Sequence, residues 1–221
     1  MNKTEPKTAV KTGRVQWIDF AKGIAILATI LGHTADVGKT GSDVRALIFS
    51  FHMPLFFILS ILTYRCSTSL DEYKVKQKKA ARHLLVPAVV TFVIAILIEA
   101  VQNISQLSQF EYWQGKLYTF IIGSGVDVEY SGIPVEALGI AWFFFALFIG
   151  RAIFDYIHLS MKDDSQLLVV SMIVGAIGMI WGMLMQLPFS FDIALAIMPF
   201  FYWGYRMKRM DMTKSPLKKA L

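Results

Sequence analysis

Apolar runs close to the length of a membrane crossing recur along this chain, and nothing else in the sequence constrains its fold as strongly. They fall at residues 17–35, 44–64, 84–102, 138–158, 167–187 and 193–207, the last of them short and rich in aromatics. A helix needs ~20 apolar residues, at ~1.5 Å of rise each, to cross a hydrocarbon layer of ~30 Å. Composition agrees, because 55% of the 221 residues are hydrophobic and only 17% are charged. Soluble domains run at roughly 45–50% and about 25%. A disordered polymer is excluded. A disulfide-stapled module is excluded too, since Cys66 is the single cysteine. The expected fold is an all-α, polytopic transmembrane helix bundle of about six spans.

Lysine and arginine set the expected orientation. Alternate gaps between the apolar runs (residues 1–14, 65–83, around Lys162, and from Arg206 onward) hold 17 of the 22 basic residues. The opposite side holds Lys39, Arg45 and Lys116. Basic residues concentrate on the cytoplasmic side of membrane proteins, so both termini are expected in the cytoplasm and the chain in the cell membrane. The net charge of +6 is a topology signal under this reading, and no nucleic acid is needed to explain it. Residues 1–14 read as a flexible basic tail, 15–207 as one membrane domain and 208–221 as a second basic tail. The first run resembles a signal peptide, but no clean small-residue cleavage site follows it, so it reads as a retained span. Residues 103–136 carry only a brief apolar stretch at 117–125, which reads as a membrane-surface or re-entrant piece.

Ionisable residues inside spans are costly and usually functional. The first span carries Asp19, Lys22 and His33. With Ile26 and Thr29 they follow a 3, 4, 3, 4 spacing, which predicts one stripe on a buried helix face. Asp19 and Lys22 are placed to pair. Eleven residues of helical rise separate Lys22 from His33 by about 16.5 Å, with the lysine toward the cytoplasm. The second span adds His52, two residues before Pro54, at a depth comparable with His33. Broken backbone at such depth is tolerated only where protein or a water-filled cavity surrounds it. After that span comes a basic run of Lys74, Lys76, Lys78, Lys79 and Arg82, read either as cytoplasmic anchoring or as a grip on phosphate. Glu99 lies near the outer end of the third span. Trp142 and the aromatics 143–145 suit an interface belt or the wall of a pocket.

Together these residues resemble the acyltransferase 3 family of bacterial membrane acyltransferases, in its fucose 4-O-acetylase-like branch. The resemblance rests on Lys22, ten intervening residues and His33, set within the stretch Trp17 to Ile24 and the pair Gly32-His33. It continues through the segment Phe51 to Phe57, through Lys79-x-x-Arg82 running into Leu84-Leu85-Val86-Pro87, and through Trp142-Phe143 and Pro199-Phe200-Phe201 before Gly204. Two features depart from the family. Its members usually have about ten spans, so the chain is expected to be incomplete at its C-terminus. Ile61 also follows Ser60 where glycine is common.

The resemblance implies O-acylation, most often O-acetylation, of a saccharide, lipid-linked glycan or other cell-envelope hydroxyl by acyl-CoA. His33 then matches the family's essential histidine, Lys22 its basic partner, and Lys79 with Arg82 its donor-binding element. His52 is a second catalytic candidate, polarising the thioester carbonyl or orienting His33, with Asp19, Glu99 and Trp142 in orienting roles. Acetyl-CoA enters as co-substrate; no permanently bound cofactor and no metal are expected. The partners are the acyl-CoA donor, the glycan acceptor and the lipid bilayer. Two alternatives stand beside this reading, a non-catalytic remnant and a component of a proton-coupled transporter.

Overall fold

The computed structural model describes residues 16–34, 39–130 and 132–210. Most of both expected tails, at 1–14 and 208–221, lies outside the described residues. The described residues form eight α-helices, two short 3-10 turns (Ile104–Gln106 and Pro188–Ser190) and one short hairpin. The helices are α1 (Gln16–Thr34), α2 (Lys39–Thr63), α3 (Leu70–Gln102), α4 (Phe110–Ile122), α5 (Ala141–Ser160), α6 (Asp164–Leu184), α7 (Phe191–Ala196) and α8 (Met198–Arg209), with β1 (Val128–Tyr130) paired antiparallel to β2 (Ile133–Val135). The fold is an all-α membrane bundle. Among the described residues four helices are long and apolar enough to cross a membrane: Asp43–Thr63 of α2, then α3, α5 and α6. The first and last apolar runs form α1 and the α7–α8 pair, which fall outside that set of four.

Two helices differ from the sequence expectation in ways that local chemistry explains. The stretch 65–83 reads in the sequence as a loop, yet α3 starts at Leu70 and carries the whole basic run. Ser69 caps it by accepting the Glu72 N–H at 3.2 Å, and Glu72 reaches back to the Thr68 N–H at 2.8 Å. These reciprocal contacts satisfy backbone donors at a helix start. Lys76 adds an ion pair one turn on from Glu72, at 2.8 Å. The last run is broken at Ile197, and Pro199 sits in the first turn of α8, where its missing N–H costs nothing.

Contacts between helices fix their directions. Phe56 and Phe57 meet Phe143, Ser60 meets Arg151, and Tyr64 meets Asp155, so α2 and α5 run parallel. Gln77 reaches Asp155 while Ala88 packs with Phe145, so α3 and α5 run antiparallel. Gly32 faces Ile48 and Ile18 packs with Leu62, so α1 and α2 are also antiparallel. One end of the bundle therefore gathers the end of α1, the start of α2, the end of α3 and the start of α5. The other gathers the basic half of α3 with the C-terminal ends of α2, α5 and α8.

The core joins α2, α5 and α8 through Phe57, Ile61, Phe154, Met198 and Phe201, all nearly or fully buried. Small residues allow the closest helix approaches. A Cβ at Gly175 of α6 would lie 2.5 Å from the Pro199 ring, and one at Gly204 of α8 would strike Ile61 and the Ile58 carbonyl of α2. Membrane helices pack through such small residues because lipid gives apolar side chains little reason to associate.

Candidate functional site

The packed face of α1 is Ile18, Ala25, Ala28 and Gly32. This corrects the expected buried stripe. Asp19, Lys22 and Thr29 are half-buried, whereas Ile26 is 52% exposed and His33 is exposed. At 100° per residue the polar stripe lies about a quarter turn from the packed face. Its spacing places these residues along one line, and the small residues beside them dock on α2. Lys22 and His33 stand at opposite ends of that line.

His33 and His52 meet through an aromatic ring that the motifs do not single out. The ring of Phe49 lies 5.4 Å from that of His33 and 5.1 Å from that of His52, between centroids. Gly32 makes room for it, since a Cβ there would come within 2.8 Å of the Phe49 ring. The Arg45 guanidinium stands 5.1 Å from the same ring. Helical spacing carries a signal for this group, because residues 45, 49 and 52 are one turn apart on one face.

His52 is buried, and its Nδ1 lies 2.9 Å from the Ile48 carbonyl oxygen. A carbonyl only accepts, so Nδ1 carries the proton and Nε2 of the neutral ring presents a lone pair. With Nδ1 engaged, Nε2 is the ring atom left to act, as an acceptor in the neutral ring and as a donor in the protonated one.

Lys79 and Arg82 are exposed in the first half of α3, three residues apart on neighbouring parts of one face. They lie at the end of the bundle opposite His33. Glu99, at the end of α3, pairs with Lys116 at 2.7 Å, and Glu136 holds the same ammonium at 2.5 Å. Lys116 is nearly buried. Burial lowers its pKa, but bonds to Glu136 and Glu99 outweigh this and leave it raised. Trp142 packs over Gly125, where a Cβ would lie 2.6 Å from the indole Nε1. It joins the α5 core to the segment before the hairpin.

The most heavily bonded carboxylate in the described chain matches no motif in the sequence. Asp155 of α5 is fully buried and accepts from the Tyr64 hydroxyl at 2.7 Å and from the Ser67 N–H and Oγ at 2.6 and 2.7 Å. A signal for it does exist, since Asp155 and Arg151 both stand inside an apolar run. Burial, then the bond to Asp155, pushes the Tyr64 phenol well above its usual value. Burial, then the charge of Asp155, pushes the Cys66 thiol up to about 12. Cys66, Asp155 and His158 each place a possible ligand atom within 4.8 Å of the others. Both Asp155 oxygens are occupied, however. Lys208 donates to the Tyr64 carbonyl at 2.6 Å and the Arg151 guanidinium lies 5.6 Å from the Tyr64 ring, surroundings that disfavour a further cation.

The fold and these buried polar groups define a polytopic membrane protein with chemistry-bearing side chains at both ends of its bundle. Residues 15–221 match the acyltransferase domain family also named Acyl_transf_3, and the chain belongs to that family. No match was found among curated proteins or among solved structures.

Proposed function

We propose that the chain moves an acyl group, acetyl in the simplest case, from acyl-CoA to a hydroxyl of a saccharide or cell-envelope glycan. The observation that carries this reading is the family match over residues 15–221. Two features support it. Imidazoles at one end of the bundle offer a base, and exposed Lys79 and Arg82 at the other offer charged donors to the phosphates of the donor. In this reading both termini face the cytoplasm, where the donor is found. Acyl-CoA is a co-substrate and not a resident cofactor.

In the proposed reaction His33 takes the proton of the acceptor hydroxyl as its oxygen attacks the thioester carbonyl. A C–O bond forms and the C–S bond breaks. The departing CoA thiolate recovers the proton from the imidazolium. General-base catalysis of this kind is typically worth about 10²–10⁴-fold. His52, with Nε2 available as an acceptor, is a second base on the Phe49 side. Lys22, with Asp19 three residues before it, stands along the path between the two ends.

The test is transfer of label from acetyl-CoA to a glycan by membranes containing the protein, compared with His33→Ala. Loss of transfer in the variant, with the protein present and folded, supports the assignment. Normal turnover in the variant removes His33 from the mechanism. Transport that depends on a proton gradient, with no dependence on CoA, would replace the enzymatic reading.

A further inference from the structure

His33 is exposed at the end of α1, and no hydrogen bond to another described residue fixes its ring. A catalytic base is commonly oriented by a third group, usually a carboxylate or carbonyl that bonds its second nitrogen. His52 has such a group, since the Ile48 carbonyl oxygen lies 2.9 Å from Nδ1 and the residue is only 4% exposed. His33 has the Phe49 ring instead. The two centroids lie 5.4 Å apart at an interplanar angle of 56°, within the roughly 4.5–7 Å range of attractive ring pairs.

The same ring reaches the second imidazole. Its centroid is 5.1 Å from that of His52, at an interplanar angle of 38°. Phe49 thus ties an unbonded imidazole on α1 to an anchored one on α2. The ring is itself held in place. It is half-buried, and the Arg45 guanidinium stands 5.1 Å from its centroid, one turn earlier on α2. The backbone of Gly32 passes so close that a Cβ there would lie 2.8 Å from Cε1 of the ring. An aliphatic residue at this position would keep the helices packed and offer no flat surface against which an imidazole can settle.

We propose that Phe49 is a positioning residue: it holds the His33 ring at a fixed setting beside His52, so that the two imidazoles work as one unit on the reacting groups. The proposal rests on the acyltransferase reading above and deepens it by assigning the group that orients the base. Phe49 exchanges no proton in this role and needs no contact with substrate. Its contribution is geometric, and misplacing a reacting group by about 1 Å can cost on the order of a hundredfold in rate.

Phe49→Leu keeps an apolar side chain and removes the ring, whereas Phe49→Tyr keeps the ring. Transfer of label from acetyl-CoA is followed with the full chain in lipid nanodiscs. Phe49→Leu is expected to lower kcat roughly tenfold to a hundredfold while the KM for acetyl-CoA stays within about twofold, the mark of an interaction realised in the transition state. Phe49→Tyr recovers most of that loss. Gly32→Ala reaches the contact from α1: the ring stays but must shift, and kcat falls as in Phe49→Leu. Melting temperatures show that each variant is folded.

A second readout needs no turnover. The chain has four histidines, and an aromatic ring shifts the resonances of groups beside it. In protein labelled at the imidazole carbons, Phe49→Leu moves the His33 and His52 signals. Those of His83 and His158, at the other end of the bundle, stay in place. An unchanged kcat in Phe49→Leu, an equal loss in Phe49→Tyr, or a loss carried by KM instead of kcat overturns the proposal. Paired shifts of His33 and His52 without turnover in the wild type keep the coupled imidazoles and reject the activity. Turnover with neither signal moved keeps the activity and rejects Phe49 as the group that orients its base.

Discussion

Asp155 accepts both the backbone N–H and the hydroxyl of Ser67, at 2.6 and 2.7 Å, so a buried carboxylate on α5 fastens the turn between α2 and α3. That turn is where the chain reverses and begins the basic half of α3. Asp155→Ala leaves the Ser67 N–H, the Ser67 hydroxyl and the Tyr64 hydroxyl without their acceptor. Hydrogen bonds to charged groups contribute about 1.5–3 kcal/mol each, and stranded buried donors add a penalty. The expected loss is about 3 kcal/mol or more, read as a lower melting temperature in detergent, with Asp155→Asn losing less. An unchanged melting temperature would show that the turn is held by other contacts.

Cys66 lies in the same turn, outside the helices, where burial and then the charge of Asp155 push its thiol up to about 12 from 9.0. Only the thiolate reacts with alkylating agents. At about pH 8 the native thiolate fraction is roughly a thousandfold below that of the unfolded chain, so iodoacetamide should modify Cys66 quickly only after denaturation. The linkage has a definite sign. Between about pH 9 and 12 the unfolded thiol has lost its proton while the native thiol keeps it, so stability falls as pH rises through that window. Removing the charge with Asp155→Asn raises reactivity only in part, because burial is the larger cause. Fast labelling of the native protein would contradict this placement.

The helical runs are legible in the sequence because lipid leaves the backbone so few alternatives. The start of α3 is legible too, in Ser69-x-x-Glu72, although the polar composition of 70–83 suggests a loop. The break before α8 follows from Pro199. The packed face of α1 is not legible, since periodicity groups Asp19, Lys22 and His33 on one line without saying which line docks. The small residues Ala25, Ala28 and Gly32 decide that. The pairs Ser67–Asp155 and Lys116–Glu136 lie 88 and 20 residues apart; such contacts follow from helix directions that no local pattern encodes. Phe49, between the two histidines, is an intermediate case. Its spacing is visible in the sequence, and its meaning requires α1 alongside.

Glycines with and without neighbours give a paired test of the packing. In α6, Gly175 leaves no space for a methyl group, because the Pro199 ring is rigid and would lie 2.5 Å from the new Cβ. Gly175→Ala must separate α6 from α8 and should cost about 1–3 kcal/mol. In α1, an alanine methyl at Gly23 would meet nothing within 4 Å, so Gly23→Ala should be neutral or stabilise by up to about 1 kcal/mol through helix propensity. Thermal unfolding of both variants in one detergent checks the contrast. Equal effects would mean that α6 and α8 are not in close contact.

Lys79 and Arg82 separate the two explanations of the basic run, anchoring and donor binding. Both are exposed on α3, so replacing them should change stability by no more than about 0.5 kcal/mol. A change in catalysis can then be read without a folding artefact. If they hold the phosphates of the donor, the double variant Lys79→Ala, Arg82→Ala loses charge-assisted hydrogen bonds made before the chemical step. The expected result is a KM for acetyl-CoA raised roughly tenfold or more with kcat little changed, the pattern of lost uniform binding. Added salt should weaken donor binding in the wild type and have less effect in the variant, because part of the screened attraction is gone. An unchanged KM, with the protein still inserted in the same orientation, would assign the run to anchoring alone and leave the donor to be held by Lys22 or by other residues.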